Sequence, residues 1–143
     1  MTRTIAAIAV AALAVAPSAL VGGEAAAKEA PEDILVGPHV VARVRVPTAG
    51  YTVPERANIV RSRVMTILSD ASLTPDNIAK AVTIRKSSVN LALYVGKNLF
   101  FTVTPADAEA ADAKLDRLAE IWANNLRAAL PKIKPLATPE SVS

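Results

Sequence analysis

Residues 100–130 read FFTVTPADAEAADAKLDRLAEIWANNLRAAL, and the Thr104-Pro105 join inside them decides the architecture. Leu99 to Thr104 is rich in β-branched and aromatic residues, which suit a strand. The pattern then switches to helical spacing. Thr104 is a good N-cap, Pro105 falls on the first helical position, and Asp107 occupies the capping-box site at the positive end of the helix dipole. Ala111, Leu115, Leu118, Trp122, Leu126 and Ala129 recur as one apolar stripe. The expectation is a single helix of about five turns that Pro131 stops.

Upstream, AVTIRKSSVNLALYVGKNLFFTVT (residues 81–104) predicts a three-stranded meander. Ser87-Ser88 breaks the first run, and Gly96-Lys97-Asn98 supplies turn chemistry. Val89, Leu91, Leu93 and Val95 are expected on one face. Before it, Thr52, Pro54 and Glu55 open a helix with a capping box; Ala57, Val60, Val64, Ile67, Leu68 and Ala71 form its stripe. HVVARVRV (His39–Val46) alternates with period two, Val40, Ala42, Val44 and Val46 on the cleaner face, and predicts the first strand. The order β-α-β-β-β-α implies an α+β domain, a mainly antiparallel sheet with two amphipathic helices on one face.

The ends read differently. Residues 1–27 carry Arg3, an apolar run from Ile5 to about Val21, and Ala25-Ala26-Ala27 before Lys28, the layout of a cleaved signal peptide. That run is short for a bilayer span and contains Pro17. Residues 28–38 are expected to be a flexible leader, 39–131 the α+β domain and 132–143 a mobile, proline-bearing tail. The 143-residue chain has no cysteine, which excludes thiol catalysis, iron–sulfur clusters and thiolate zinc sites. Its formal net charge of +3 is dispersed, unlike a nucleic-acid-binding run.

Residue by residue, no catalytic constellation emerges. His39 is the single histidine; it follows Gly37-Pro38 at a strand entry, with no acid placed to orient it, and is expected to be exposed. Ser69, Ser72 and the Ser87-Ser88 pair sit in nothing like a nucleophile elbow. The five glycines are scattered in turns, without a phosphate loop. Glu109, Asp112, Asp116 and Glu120 are spaced as one ridge of the last helix, a solvated face or a docking strip for a basic partner. A straight row cannot converge on one calcium ion. No metal site and no cofactor are therefore expected. Arg56 and Arg63, seven apart on the first helix, have two readings. They either form an anion-recognition pair or make ion pairs with acids of the other helix and with strand ends. Trp122 at the centre of its stripe reads as core, and Thr52, Glu55, Thr104, Pro105 and Asp107 as caps.

Three segments taken together, ERANIVRSRVMTILSD (Glu55–Asp70), VGKNLFFTVTPADAEA (Val95–Ala110) and LAEIWANNLRAAL (Leu118–Leu130), show a family likeness. The set resembles the extracytoplasmic segment ahead of the membrane portion in some bacterial small-conductance mechanosensitive channel proteins. It covers about Val53 to Leu130. This chain departs from those channels because no apolar run after the signal segment is long enough to span a membrane. The resemblance implies an extracytoplasmic accessory or sensing module without an established catalytic role. It carries over only Arg56, Arg63, Asp107 and Trp122, with no role assigned to them.

The reading is thus of a non-enzymatic periplasmic or secreted binding module. Its partner is an envelope protein or a small ligand, with no nucleic acid and no membrane span in the mature chain. The alternatives are a small hydrolase using His39 or carboxylates, and a structural subunit that pairs through a sheet edge. Oligomeric state is open.

Overall fold

The computed structural model describes residues 29–135. The expected signal segment, and the expected tail from residue 136 on, lie outside the described residues. The elements are β1 (Glu32–Val36), β2 (His39–Val44), α1 (Val53–Ser69), β3 (Val82–Ser87), β4 (Asn90–Val95), β5 (Asn98–Val103), α2 (Pro105–Ala110) and α3 (Leu115–Ile133). The class is α+β, in the order β-β-α-β-β-β-α-α. The strands form two antiparallel sheets, β1-β2 and β3-β4-β5, instead of one. α1 packs on β1 and β5, while α3 packs on β2, β3 and β4. Ile34, Val44, Ile67, Leu93, Phe101 and Leu126 meet in one continuous core.

The leader reading of 28–38 is corrected. Glu32–Val36 is a strand paired with β2, and Ile34 and Val36 are fully buried. Its acids do not solvate a loose segment. Asp33 pairs with the cross-strand Arg43 at 2.6 Å, and Glu32 with Arg61 of α1 at 2.8 Å. Gly37, at φ +60°, makes the turn into β2, where a Cβ would stand 2.4 Å from Ile133 Cδ1. Glycine is needed there both for its conformation and for the close approach of α3.

Two β-bulges explain where period-two reading goes astray. In β2 the register steps from Ile34↔Ala42 to Leu35↔Val40, so Val41 has no cross-strand partner. Val41 and Ala42 both turn inward, and Val40 is left 49% exposed. In β5 the register steps from Leu93↔Phe101 to Tyr94↔Leu99, and Phe100 is the extra residue. The successive phenylalanines are thereby both buried, as the two-against-one geometry of a bulge permits. Side chains from the helices reach both bulged carbonyls: Val41 O accepts from Asn125 Nδ2 at 3.2 Å and Phe100 O from an Arg63 N–H at 3.5 Å. Val89 is not on the meander's inner face. It sits in the Ser88-Val89 turn and is 68% exposed.

The last helix is two helices. α2 stops after six residues in a Schellman arrangement: Asp112 takes φ +55°, Asp112 N–H donates to Glu109 O at 3.0 Å, and Ala113 N–H to Ala108 O at 2.9 Å. Pro131 does not stop α3, which runs to Ile133. A proline in the last turn forfeits one backbone bond, but Lys134 N–H still reaches Leu130 O at 2.8 Å. Nor does a free tail begin at 132. Lys134 is 7% exposed, and its Nζ donates to Leu68 O at 2.7 Å and Asp70 O at 2.8 Å. It thus satisfies carbonyls at the end of α1 that have no partner within the helix.

Asp70, at the end of α1, ties that helix to the β4–β5 turn. Its carboxylate accepts from Asn98 Nδ2 at 2.8 Å and from Ser72 Oγ at 2.7 Å and N at 2.9 Å. The Asn98 bond first, then those from Ser72, lower its pKa to about 2 from 3.8. Because the folded pKa lies below the unfolded one, the contribution is complete above about pH 4 and is lost as pH falls toward about 2. We expect Asp70→Asn to lower the melting temperature at about pH 6 and to match the parent near about pH 2. A gap that stays constant with pH would contradict this account.

Candidate functional site

Between the loop leading into α1, α1 itself and β4–β5 lies a cleft of about 300 Å³. Ligand sites run from about 300 to 1,000 Å³, so the cleft suits a small molecule. Tyr51, Ile59, Val60 and Phe101 give it apolar walls, Asn90 and Thr102 polar points, and Arg56 and Arg63 its charge. Among the described residues no aspartate or glutamate lines it.

The loop at its edge is a two-residue turn. Thr48 and Tyr51 exchange backbone hydrogen bonds at 3.1 and 2.8 Å across Ala49 (φ +50°) and Gly50 (φ +84°). Positive φ at both central positions is the type I′ pattern, which favours Asn or Gly at the first. Ala49 occupies that position and also lines the cleft, and a left-handed alanine costs about 1–2 kcal/mol. Strain of this kind gathers at binding and catalytic sites.

Arg56 and Arg63 share the cleft wall but have different surroundings. Arg56 is 7% exposed and Asp107 is 2% exposed. The two meet fork to fork, Nη1 on Oδ1 and Nη2 on Oδ2, both at 2.6 Å. Nη1 also donates to Val46 O at 3.0 Å and Nη2 to Thr102 O at 3.1 Å, and the guanidinium lies 5.1 Å from the Phe101 ring centre. Asp107 closes the capping box at the same time. Its Oδ2 accepts from Thr104 N at 2.9 Å and Oγ1 at 3.0 Å, while its own N–H donates to Thr104 Oγ1 at 3.2 Å. Arg56 thus makes an ion pair with an acid of another helix, the N3 residue of the α2 capping box, whose N-cap is Thr104. Thr52 and Glu55 cap α1 in the same reciprocal way, at 3.2 and 2.9 Å.

Arg63 is half-buried, and no described carboxylate lies within ion-pair distance of it. Its one hydrogen bond is the long contact to Phe100 O. Burial draws its pKa down from the usual guanidinium value, and Tyr94 is the ionisable neighbour that bears on it in the opposite direction. A bidentate donor is thus left with spare N–H groups beside an apolar wall. So the two arginines do not act as a pair: one is consumed by the fold and the other faces the cleft.

The remaining candidates disperse. His39 begins β2 half-buried, in a small hollow with Val40, Asn125, Ala128, Ala129 and Lys132, where no described carboxylate is present. Glu109, Asp112, Asp116 and Glu120 do not form one ridge, because the break after α2 separates the first two from α3. Among the described residues no three His, Cys, Asp or Glu side chains are grouped to hold a metal ion. Trp122 is core, 4% exposed, its ring edge-on to Phe101 at 4.8 Å between centres. Sequence reading missed Thr48, Ala49, Tyr51, Asn90 and Thr102 as lining residues; only the Ala49-Gly50 turn left any local mark. Among the described residues no helix is long and apolar enough to cross a membrane.

Residues 33–133 match the family described as Domain of unknown function (DUF8459). That span is more than half of the chain, and the chain belongs to this family. No curated protein and no solved structure matches it.

Proposed function

We propose that this member of the family is a non-enzymatic, exported binding module that holds a small ligand in the cleft at Arg63. Export is read from the layout of residues 1–27, and association with the envelope or a channel only from the resemblance of residues 53–130. The observation that carries the binding reading is the pairing of Arg63, half-buried and without a described carboxylate, with an apolar wall that includes Phe101. Guanidinium groups removed from water are normally paired, so a partner from outside the chain suits this one. The hydrolase alternative draws no support from His39, whose hollow holds no acid. The sheet-edge alternative has β3 and β5 of the meander and both strands of the β1–β2 sheet as its places; on β3, Arg85 and Lys86 put charge on the strand, a usual way of discouraging edge pairing.

A small-molecule screen by amide-shift mapping on the full chain tests the binding reading. Hits are expected to move Thr48–Tyr51, Arg63 and Thr102 together. A screen that moves none of these, or a hit converted to product, would overturn it.

A further inference from the structure

We infer that the ligand of the cleft is a small monocarboxylate with an apolar body, its carboxylate on the Arg63 guanidinium and its body against Tyr51 and Ile59. The inference rests on the binding reading above and names the ligand class for the same site.

The charge count fixes the anion. Arg56 and Asp107 neutralise one another through two 2.6 Å bonds, and no acid among the described residues lines the cleft. Arg63 is left as a single uncompensated positive charge, which matches a monoanion. A phosphate monoester carries about −1.5 to −2 at neutral pH, more negative charge than one guanidinium neutralises. The fork geometry fixes the head group, because a guanidinium offers two parallel N–H donors to the two oxygens of a carboxylate. Arg63 has one long contact, to the bulge carbonyl of Phe100 at 3.5 Å. That contact holds the side chain against β5 and leaves the fork unfilled. The walls fix the body: Tyr51 and Ile59 are the accessible apolar side chains, with Val60 and Phe101 buried behind them, and Asn90 and Thr102 supply the few polar points. The volume of about 300 Å³ limits that body to a short chain or one ring.

Calorimetric titration of the full chain with matched pairs tests this: hexanoate against hexanamide, and benzoate against benzamide and phenyl phosphate. Each acid is expected to bind at least about tenfold more tightly than its amide, as the loss of a charge-assisted bidentate bond requires. Arg63→Gln should remove the acid's advantage while leaving the melting temperature within a few degrees of the parent, and Arg63→Lys should restore part of it. Acid and amide binding equally, or phenyl phosphate binding more tightly than benzoate, would overturn the ligand class while the cleft stood as a binding site. No binding of any probe, with no amide shift at Thr48–Tyr51 or Thr102 in a wider screen, would overturn both. A variant at Arg63 that melts far below the parent would assign the side chain to the fold and also count against the inference.

Discussion

Asp107→Ala is expected to lower the free energy of unfolding by about 3–5 kcal/mol, read by urea denaturation. Removing one member of a buried pair leaves the other charged and desolvated, and costs of that order are typical. Here the remaining charge is Arg56, 7% exposed, with only the carbonyls of Val46 and Thr102 and the face of Phe101 around it. The reciprocal half of the α2 capping box goes at the same time, since Thr104 N–H and Oγ1 both donate to the Asp107 carboxylate, while Thr104 Oγ1 still accepts from the backbone N–H at 107. Against a usual total of about 5–15 kcal/mol, that is a large share of the stability of the domain. Asp107→Asn keeps a cap acceptor and should lose less. Replacing both partners, Arg56→Met with Asp107→Ala, should cost less than the two single changes added together, because no isolated charge is left behind. A loss below about 1 kcal/mol for Asp107→Ala would mean that water already reaches the pair.

Phe101→Ala should come next, at about 3–5 kcal/mol, the usual range for a buried aromatic cut to alanine. The ring is 1% exposed and sits edge-on to Trp122 at 4.8 Å, tilted against Phe100 at 6.0 Å and under the Arg56 guanidinium. Its loss therefore opens a cavity and strips contacts from three neighbours. Phe101→Leu fills most of that volume and should cost roughly 1–1.5 kcal/mol. The emission of Trp122, the single tryptophan, reports the repacking directly: a red shift is expected in the alanine variant only. Equal stability in both variants would show that the ring is not the keystone of this layer.

Much of this fold is written locally. The two capping boxes, at Thr52–Glu55 and Thr104–Asp107, are short patterns whose chemistry lies within four residues, and both form as the sequence implies. The meander is similarly marked by its turns. What escaped reading is decided by partners far away in the chain. A bulge at Val41 or Phe100 leaves no composition signal, because valine and phenylalanine suit a regular strand equally well. It arises from the burial available on both sides of a strand already held by its neighbours. The break after α2 was hidden for a similar reason: Ala111 and Ala113 are strong helix formers, and only the tolerance of Asp112 for the left-handed region hints at the stop. β1 was lost among acids and prolines because Asp33 and Glu32 find their arginines in β2 and α1. The candidate site was half legible. Spacing put Arg56 and Arg63 on one side of a helix, but which of them stayed free depended on Asp107, fifty-one residues further on from Arg56.

The Lys134 ammonium on the last carbonyls of α1 has a consequence in time. During synthesis α1 emerges early, yet the cation that finishes its end is made 66 residues after Leu68 and 64 after Asp70. β1 and β2 likewise wait for α3 to cover them. Contacts this distant in sequence slow closure of a fold, so a nascent chain halted before residue 134 holds its first helix without its stop. The domain therefore completes itself late, because the contacts that close it come from its last described residues.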